Sequence, residues 1–252
     1  MLYTSPIFGP VHSRRLGLSL GINLMPSDGK MCSFDCIYCE CGFNGDARPK
    51  QHRPSAQQVS QALEHKLQSM VQEGRLPDVL TFAGNGEPTL HPDFKHIIAE
   101  TRRLRDIYCP QARISVLTNA TTCVRPDVHE ALMLVDNNIQ KLDTVNLDFI
   151  HAVDRPTGKY DLNAILQALC DFKGHVIIQT MFLTSSTGLD NTTDEYVEPW
   201  LQALDRIQPQ SVMVYTIDRT TPDNTLRKAL PACLDSIAQR VRQRGIECTV
   251  AY

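Results

Sequence analysis

The chain has 252 residues, 42% of them hydrophobic and 21% charged, with a formal net charge of −3. A chain of this length buries a substantial core, and the composition is that of an ordinary globular protein, which excludes a disordered chain or one that depends on disulfide staples. The longest apolar runs, such as VIIQTMFL at 176 to 183, fall short of the roughly 18 residues that a membrane helix needs, and the small negative charge argues against a strong general affinity for nucleic acid.

In chain order, six β-rich runs are legible: LSLGINL (18 to 24), DVLTFAG (78 to 84), RISVLTN (113 to 119), KLDTVNL (141 to 147), HVIIQTMF (175 to 182) and SVMVYTI (211 to 217). CTVAY at 248 to 252 is a possible seventh. Several are almost continuously apolar, as strands buried on both faces require. Segments of helical period lie between them. After the first run, Ser55 and Gln58 form a capping box, Val59, Leu63, Leu67 and Met70 share one face, and Gly74 ends the helix. Helices are predicted near 93 to 108, 127 to 135 and 161 to 172; a capping box from Thr192 to Glu195 precedes a helix over Tyr196 to Ile207, and another runs from Pro231 to just before Gly245. Alternation of this kind implies an α/β fold, a partial (βα)6 barrel with parallel strands inside and helices outside. No linker divides the chain, so residues 1–252 are expected to form a single domain, and MLYTSPIFGP does not read as a signal peptide, so the expected location is cytoplasmic.

The sequence is most distinctive at KMCSFDCIYCECG, residues 30 to 42, where Cys32, Cys36, Cys39 and Cys41 crowd together. The loop follows the first strand, so it sits at the carboxyl end, the functional rim of such folds. The spacing C-x3-C-x2-C allows three thiolates to cap three irons of a cubic cluster and leave the fourth iron open. A second possibility is a closed site in which Cys41, or His52, supplies a fourth ligand and makes a zinc or electron-transfer centre with no enzymatic role; the paired C-x2-C spacing of structural zinc is missing.

With Tyr38 just before its last cysteine, this loop resembles the signature of the radical S-adenosylmethionine (SAM) enzymes. The resemblance implies that Cys32, Cys36 and Cys39 hold a [4Fe–4S] cluster, that SAM docks on the open iron, and that reductive cleavage yields a 5′-deoxyadenosyl radical for hydrogen abstraction. It also implies a one-electron reductant of flavodoxin or ferredoxin type. Downstream, AGNGEPTLHPDF resembles the GGEP segment that meets the methionine ammonium, here Asn85, Gly86, Glu87 and Pro88. Asn119, at the end of the third strand, either meets SAM or shapes the turn. Lys141 and Asp143, two residues apart on the fourth strand, are expected to face SAM or substrate, while Gln179, Tyr215 and Thr216 are weaker candidates for which packing is the alternative.

Together with FGPVHSRRLGLSLGINL, KLD followed by DRP, and VYTIDRTTP, these segments resemble the small branch grouped with the wyosine-forming tRNA enzymes. The departure is that no cysteine precedes Cys32 to hold a second cluster, and no flavodoxin domain is present. tRNA is therefore a possible substrate that the charge does not support. Arg14 and Arg15 are the candidate RNA contact, and the other arginine runs fall in separate segments. Within the radical SAM reading the catalytic residues and the substrate stay unassigned.

Overall fold

The structure, a computed structural model, describes residues 2–13, 17–46 and 48–252. Arg14 and Arg15 lie outside the described residues. The chain divides into two compact units, each assembled from several stretches of sequence.

The first unit comprises Met1–Ser33, Asn44–Thr118 and Arg125–Asn138. It begins with a strand that the sequence pattern did not reveal, β1 (Ile7–Ser13), paired antiparallel with β2 (Gly17–Ile22). β1 is mostly polar or half-exposed and carries Gly9 and Pro10, so it lacks the apolar run that marks a strand. Helix α1 (Ala56–Gln72) comes next, with both halves of the expected capping box in place, and buries Val59, Leu63, Leu67 and Met70. Each of these side chains contributes roughly 1.5–3 kcal/mol by leaving water. β3 (Val79–Phe82), α2 (Phe94–Tyr108), β4 (Arg113–Thr118) and α3 (Pro126–Leu132) complete the unit, with β2, β3 and β4 in a parallel ladder. All four residues of β3 are buried, as a central parallel strand demands.

The second unit comprises Phe34–Phe43, Asn119–Val124 and Ile139–Tyr252. Its strands β5 (Asn137–Lys141, of which Ile139 onward belongs to this unit), β6 (Ile177–Met181), β8 (Ser211–Tyr215) and β10 (Glu247–Ala251) are parallel and adjacent in that order. Helices α4 (Leu162–Asp171), α5 (Asp194–Ile207) and α6 (Pro231–Arg242) alternate with them, and β7 (Leu183–Ser185) and β9 (Leu226–Lys228) form a small antiparallel pair. Two sequence expectations shift. The fourth run, placed at 141 to 147, is a strand over Asn137–Lys141, so Lys141 is its last residue and Asp143 lies beyond it. The N-cap of α5 is Thr193, which makes no side-chain cap bond, rather than Thr192, whose hydroxyl donates to Asp190.

Candidate functional site

In the first unit, the turn after β3 is built around two glycines. Gly86 has φ of 138°, and a Cβ there would lie 1.9 Å from the Met31 carbonyl oxygen. Only glycine permits that approach, and the approach is used: Met31 N donates to Asn85 O at 2.9 Å and Glu87 N to Met31 O at 3.1 Å. The residue before Cys32 is thus stitched by backbone to the GNGEP turn. Asn85 is fully buried and acts as a strut. Its Oδ1 accepts from Tyr3 N, and its amide donates to Tyr3 O and Pro26 O, each at 2.8 Å. Glu87 caps a 3-10 turn (Pro88–Leu90), and its Oε1 accepts from Thr89 N at 3.1 Å, from the Thr89 hydroxyl, and from Thr118 Oγ1 at 2.7 Å. Three donors on one oxygen fix the orientation of a carboxylate that is 2% exposed. His91 serves the turn, as a neutral imidazole between Pro54 O and Asp93 N, and burial holds its pKa below the ordinary value.

In the second unit, the cysteine loop continues from Phe34 and is tied to the residues after β5. Asp35 N donates to Asp154 O at 3.0 Å and Ile37 N to Val153 O at 2.9 Å. Between these ties sits Cys36, buried, with Lys141 Nζ 3.2 Å from its sulfur. Lys141 also meets Asp154 at 2.7 Å and Asp143 at 3.2 Å, and its Nζ lies 4.3 Å from the centre of the Tyr38 ring. Tyr38 donates its hydroxyl to Asp143, whose other oxygen accepts from Met181 N at 2.9 Å. For Lys141, burial favours the neutral amine, but the Asp143 and Asp154 carboxylates outweigh it and hold the ammonium well above its ordinary pKa. Burial pushes Asp143 up to about 6, against the pull of Lys141 and with the push of Asp154. Burial and these same carboxylates hold Tyr38 well above its ordinary value, so it remains a donor.

The two groups therefore separate by unit: Asn85, Gly86, Glu87 and Pro88 in the first, and Tyr38, Lys141 and Asp143 in the second. Asn119 forms a turn in which its Oδ1 accepts from Thr121 N at 3.1 Å and Oγ1 at 2.7 Å. Thr216 packs as a polar brace, bonding Phe182 O and Ala229 N. Sequence reasoning missed Asp154 and Thr118. Asp154 lies in the DRP segment, which carries a resemblance but no assigned role, and Thr118 directly precedes Asn119, where the chain offers no signal beyond being a strand end.

Residues 27–204, well over half of the chain, match the Radical SAM superfamily. The chain belongs to the radical SAM superfamily. Among relatives, it is 30% identical to a protein named GTPase Obg of Brachyspira hyodysenteriae, over 91% of this chain but 32% of that one. It is 31% identical to a UPF0026 protein of Helicobacter pylori (84% of this chain, 66% of that one) and 31% identical to a UPF0026 protein of Synechocystis (86% and 77%). The chain thus spans about a third of the first of these relatives and about two thirds of the second. Among solved structures, a radical SAM methyltransferase from Sphaerobacter thermophilus superposes with a TM-score of 0.68 at 16% identity, covering 93% of this chain and 66% of that one. SAM-bound SuiB of Streptococcus suis gives 0.65 at 13% identity (92% and 50%), and archaeal TYW1 gives 0.53 at 14% identity (90% and 72%). These likenesses establish the fold as the curled, mostly parallel partial barrel with outer helices that the alternation of elements implied.

Members of the radical SAM superfamily use a [4Fe–4S] cluster and SAM, and the donor set here fits the cluster. All nine cysteines are thiols, including Cys32, Cys36 and Cys39, and thiolates are the ligands such clusters take. Among the described residues no three His, Cys, Asp or Glu side chains converge on a point for a single ion. A radical SAM cubane asks for no such convergence, since each thiolate caps a different iron.

Proposed function

We propose that this chain is a radical SAM enzyme in which Cys32, Cys36 and Cys39 hold a [4Fe–4S] cluster, and that it abstracts a hydrogen atom from a substrate still to be identified. When bound, the cluster and SAM supply a one-electron cleavage that ends in hydrogen abstraction. The observation that carries the reading is the superfamily match together with three thiols at C-x3-C-x2-C, the first of them next to a residue bonded to the GNGEP turn.

The protein's part is to fix groups in place. Glu87 is oriented as an acceptor for the SAM ammonium, with Gly86 and Pro88 shaping its turn, while the side chain of Asn85 supports that turn from behind. Tyr38, Asn119, Lys141 and Asp143 are assigned to the nucleotide and cluster surroundings. Residues 1–252 are read as one radical SAM domain, cytoplasmic, reduced by a flavodoxin- or ferredoxin-like carrier. Among the described residues no helix is long and apolar enough to cross a membrane. The GTPase name of one relative is not carried over, because this sequence contains no Gly-x4-Gly-Lys-Ser/Thr phosphate loop.

Anaerobic reconstitution tests the reading. The expected result is about four irons per chain, an electron paramagnetic resonance (EPR) signal of the reduced cluster that changes on adding SAM, and formation of 5′-deoxyadenosine. Cys36→Ala abolishes all three, whereas Cys41→Ala keeps them. A cluster indifferent to SAM and lost in Cys41→Ala would establish the closed four-cysteine site instead.

A further inference from the structure

We propose that Lys141 tunes the reduction potential of the cluster by donating an N–H···S hydrogen bond to the sulfur of Cys36. The inference rests on the assignment of Cys36 as a cluster ligand.

An ammonium carries three donors and no acceptor. At Lys141 three acceptors surround it: Cys36 Sγ at 3.2 Å, Asp154 Oδ1 at 2.7 Å and Asp143 Oδ2 at 3.2 Å. The lysine side chain is 12% exposed and the two carboxylates 1% and 3%, so water does not compete for its hydrogens. The anchors are rigid as well. Lys141 closes the β5 ladder opposite Gln179, Asp143 takes the Met181 amide, and the amides flanking Cys36 are bonded to the Val153–Asp154 backbone. None of these anchors needs to move for the ammonium to stay against the sulfur.

Reduction adds one electron, supplied by a low-potential carrier of flavodoxin or ferredoxin type, and no proton leaves Lys141. The added negative charge spreads onto the sulfurs, so a donor fixed on a ligand sulfur stabilises the reduced cluster more than the oxidised one and raises the potential. The two carboxylates offset much of the lysine charge at long range. They do not offset the directed N–H bond, which is why the effect belongs to Lys141 rather than to the net charge of the group. A role confined to holding the fold together would show in stability and would leave the potential of an intact cluster where it was.

The test is a redox titration of the reconstituted full chain, without SAM, monitored by EPR. Lys141→Met with a full iron complement is expected to be about tenfold harder to reduce, a fall of about 59 mV for one electron, and Lys141→Arg, which keeps a donor, is expected to lie closer to wild type. An unchanged potential in Lys141→Met, or an equal fall in Lys141→Arg, overturns the proposal. Should Lys141→Met fail to fold, the wild-type protein decides: with 15N-lysine incorporated, pulsed EPR of the reduced cluster should show a 15N coupling, and its absence overturns the proposal. A wild type that takes up no four-iron cluster overturns the cluster assignment and this inference together, whereas a normal cluster with unmoved potentials removes only the role of Lys141.

Discussion

Gly86 shows how much a single missing methyl group decides. Its φ of 138° and the 1.9 Å separation between a would-be Cβ and Met31 O mean that alanine cannot be accommodated by a side-chain rotation, because the obstacle is backbone. Gly86→Ala is therefore expected to break the bridge between Met31 and the GNGEP turn and to destabilise the protein by about 2–4 kcal/mol, the sum of conformational strain and one or two lost hydrogen bonds. Urea unfolding of the cluster-free protein measures it; a loss below about 0.5 kcal/mol, the range of a neutral surface change, would show that the bridge is not rigid. The sequence exposed this position through its place one βα unit after the cysteine loop, since glycines at 84 and 86 with Pro88 would by themselves suit any tight turn. It did not expose why Asn85 stands between them, since the partners of its amide, Tyr3 and Pro26, are far away in the chain.

At the scale of elements, α1 was legible to within a residue or two because capping box, apolar face and terminal glycine agree. β5 was not. The run NNIQKLD has little of the apolar continuity of a buried strand, yet Asn137, Asn138 and Gln140 are all buried, and Asn137 donates to the Ser115 hydroxyl at 2.8 Å. Tertiary bonding overrides strand propensity there, and the strand moves four residues toward the N-terminus from its expected start. The segment after β5 is held by α5 and β6: Trp200 Nε1 donates to Leu142 O at 3.1 Å, and Thr180 Oγ1 donates to the same oxygen at 2.9 Å. That carbonyl sits between Lys141 and Asp143, so the indole is a brace for both. Trp200→Phe keeps an aromatic against Phe182 but removes the donor, and is expected to cost about 1–3 kcal/mol from the lost bond and the smaller ring. The same variant should weaken SAM binding more than a stability-matched substitution on the outer face of α5, as isothermal titration calorimetry of reconstituted protein can show; equal affinities would mean that the brace does not transmit to Lys141 and Asp143.

Across the whole molecule, charge bears on the choice of substrate. Of the arginine runs at 102 to 105 and 240 to 244, Arg103, Arg105, Arg240 and Arg244 are engaged with carboxylates. Arg103 pairs with Glu100 and Arg105 with Asp106 and Asp136 in the first unit. In the second, Arg240 pairs with Asp194 and Glu198, Arg244 with Glu198 and Asp205, and Arg242 donates to Cys248 O. Such exposed pairs add only about 0.2–1 kcal/mol each to stability, but they neutralise the cations that would otherwise meet phosphate. A protein that displaces counterions from six to ten phosphates loses about 10³–10⁵ in affinity between about 50 and about 200 mM salt. With a formal charge of −3 and these arginines paired, this chain is expected to lose less than about tenfold for unfractionated tRNA over the same range, as filter binding would report. A steep slope abolished by Arg14→Ala with Arg15→Ala would instead place RNA at the segment between β1 and β2 and make a tRNA nucleoside the substrate to test first. A flat slope in wild type directs the search toward peptides and small metabolites, where affinity comes from apolar and hydrogen-bonded contact rather than from counterion release.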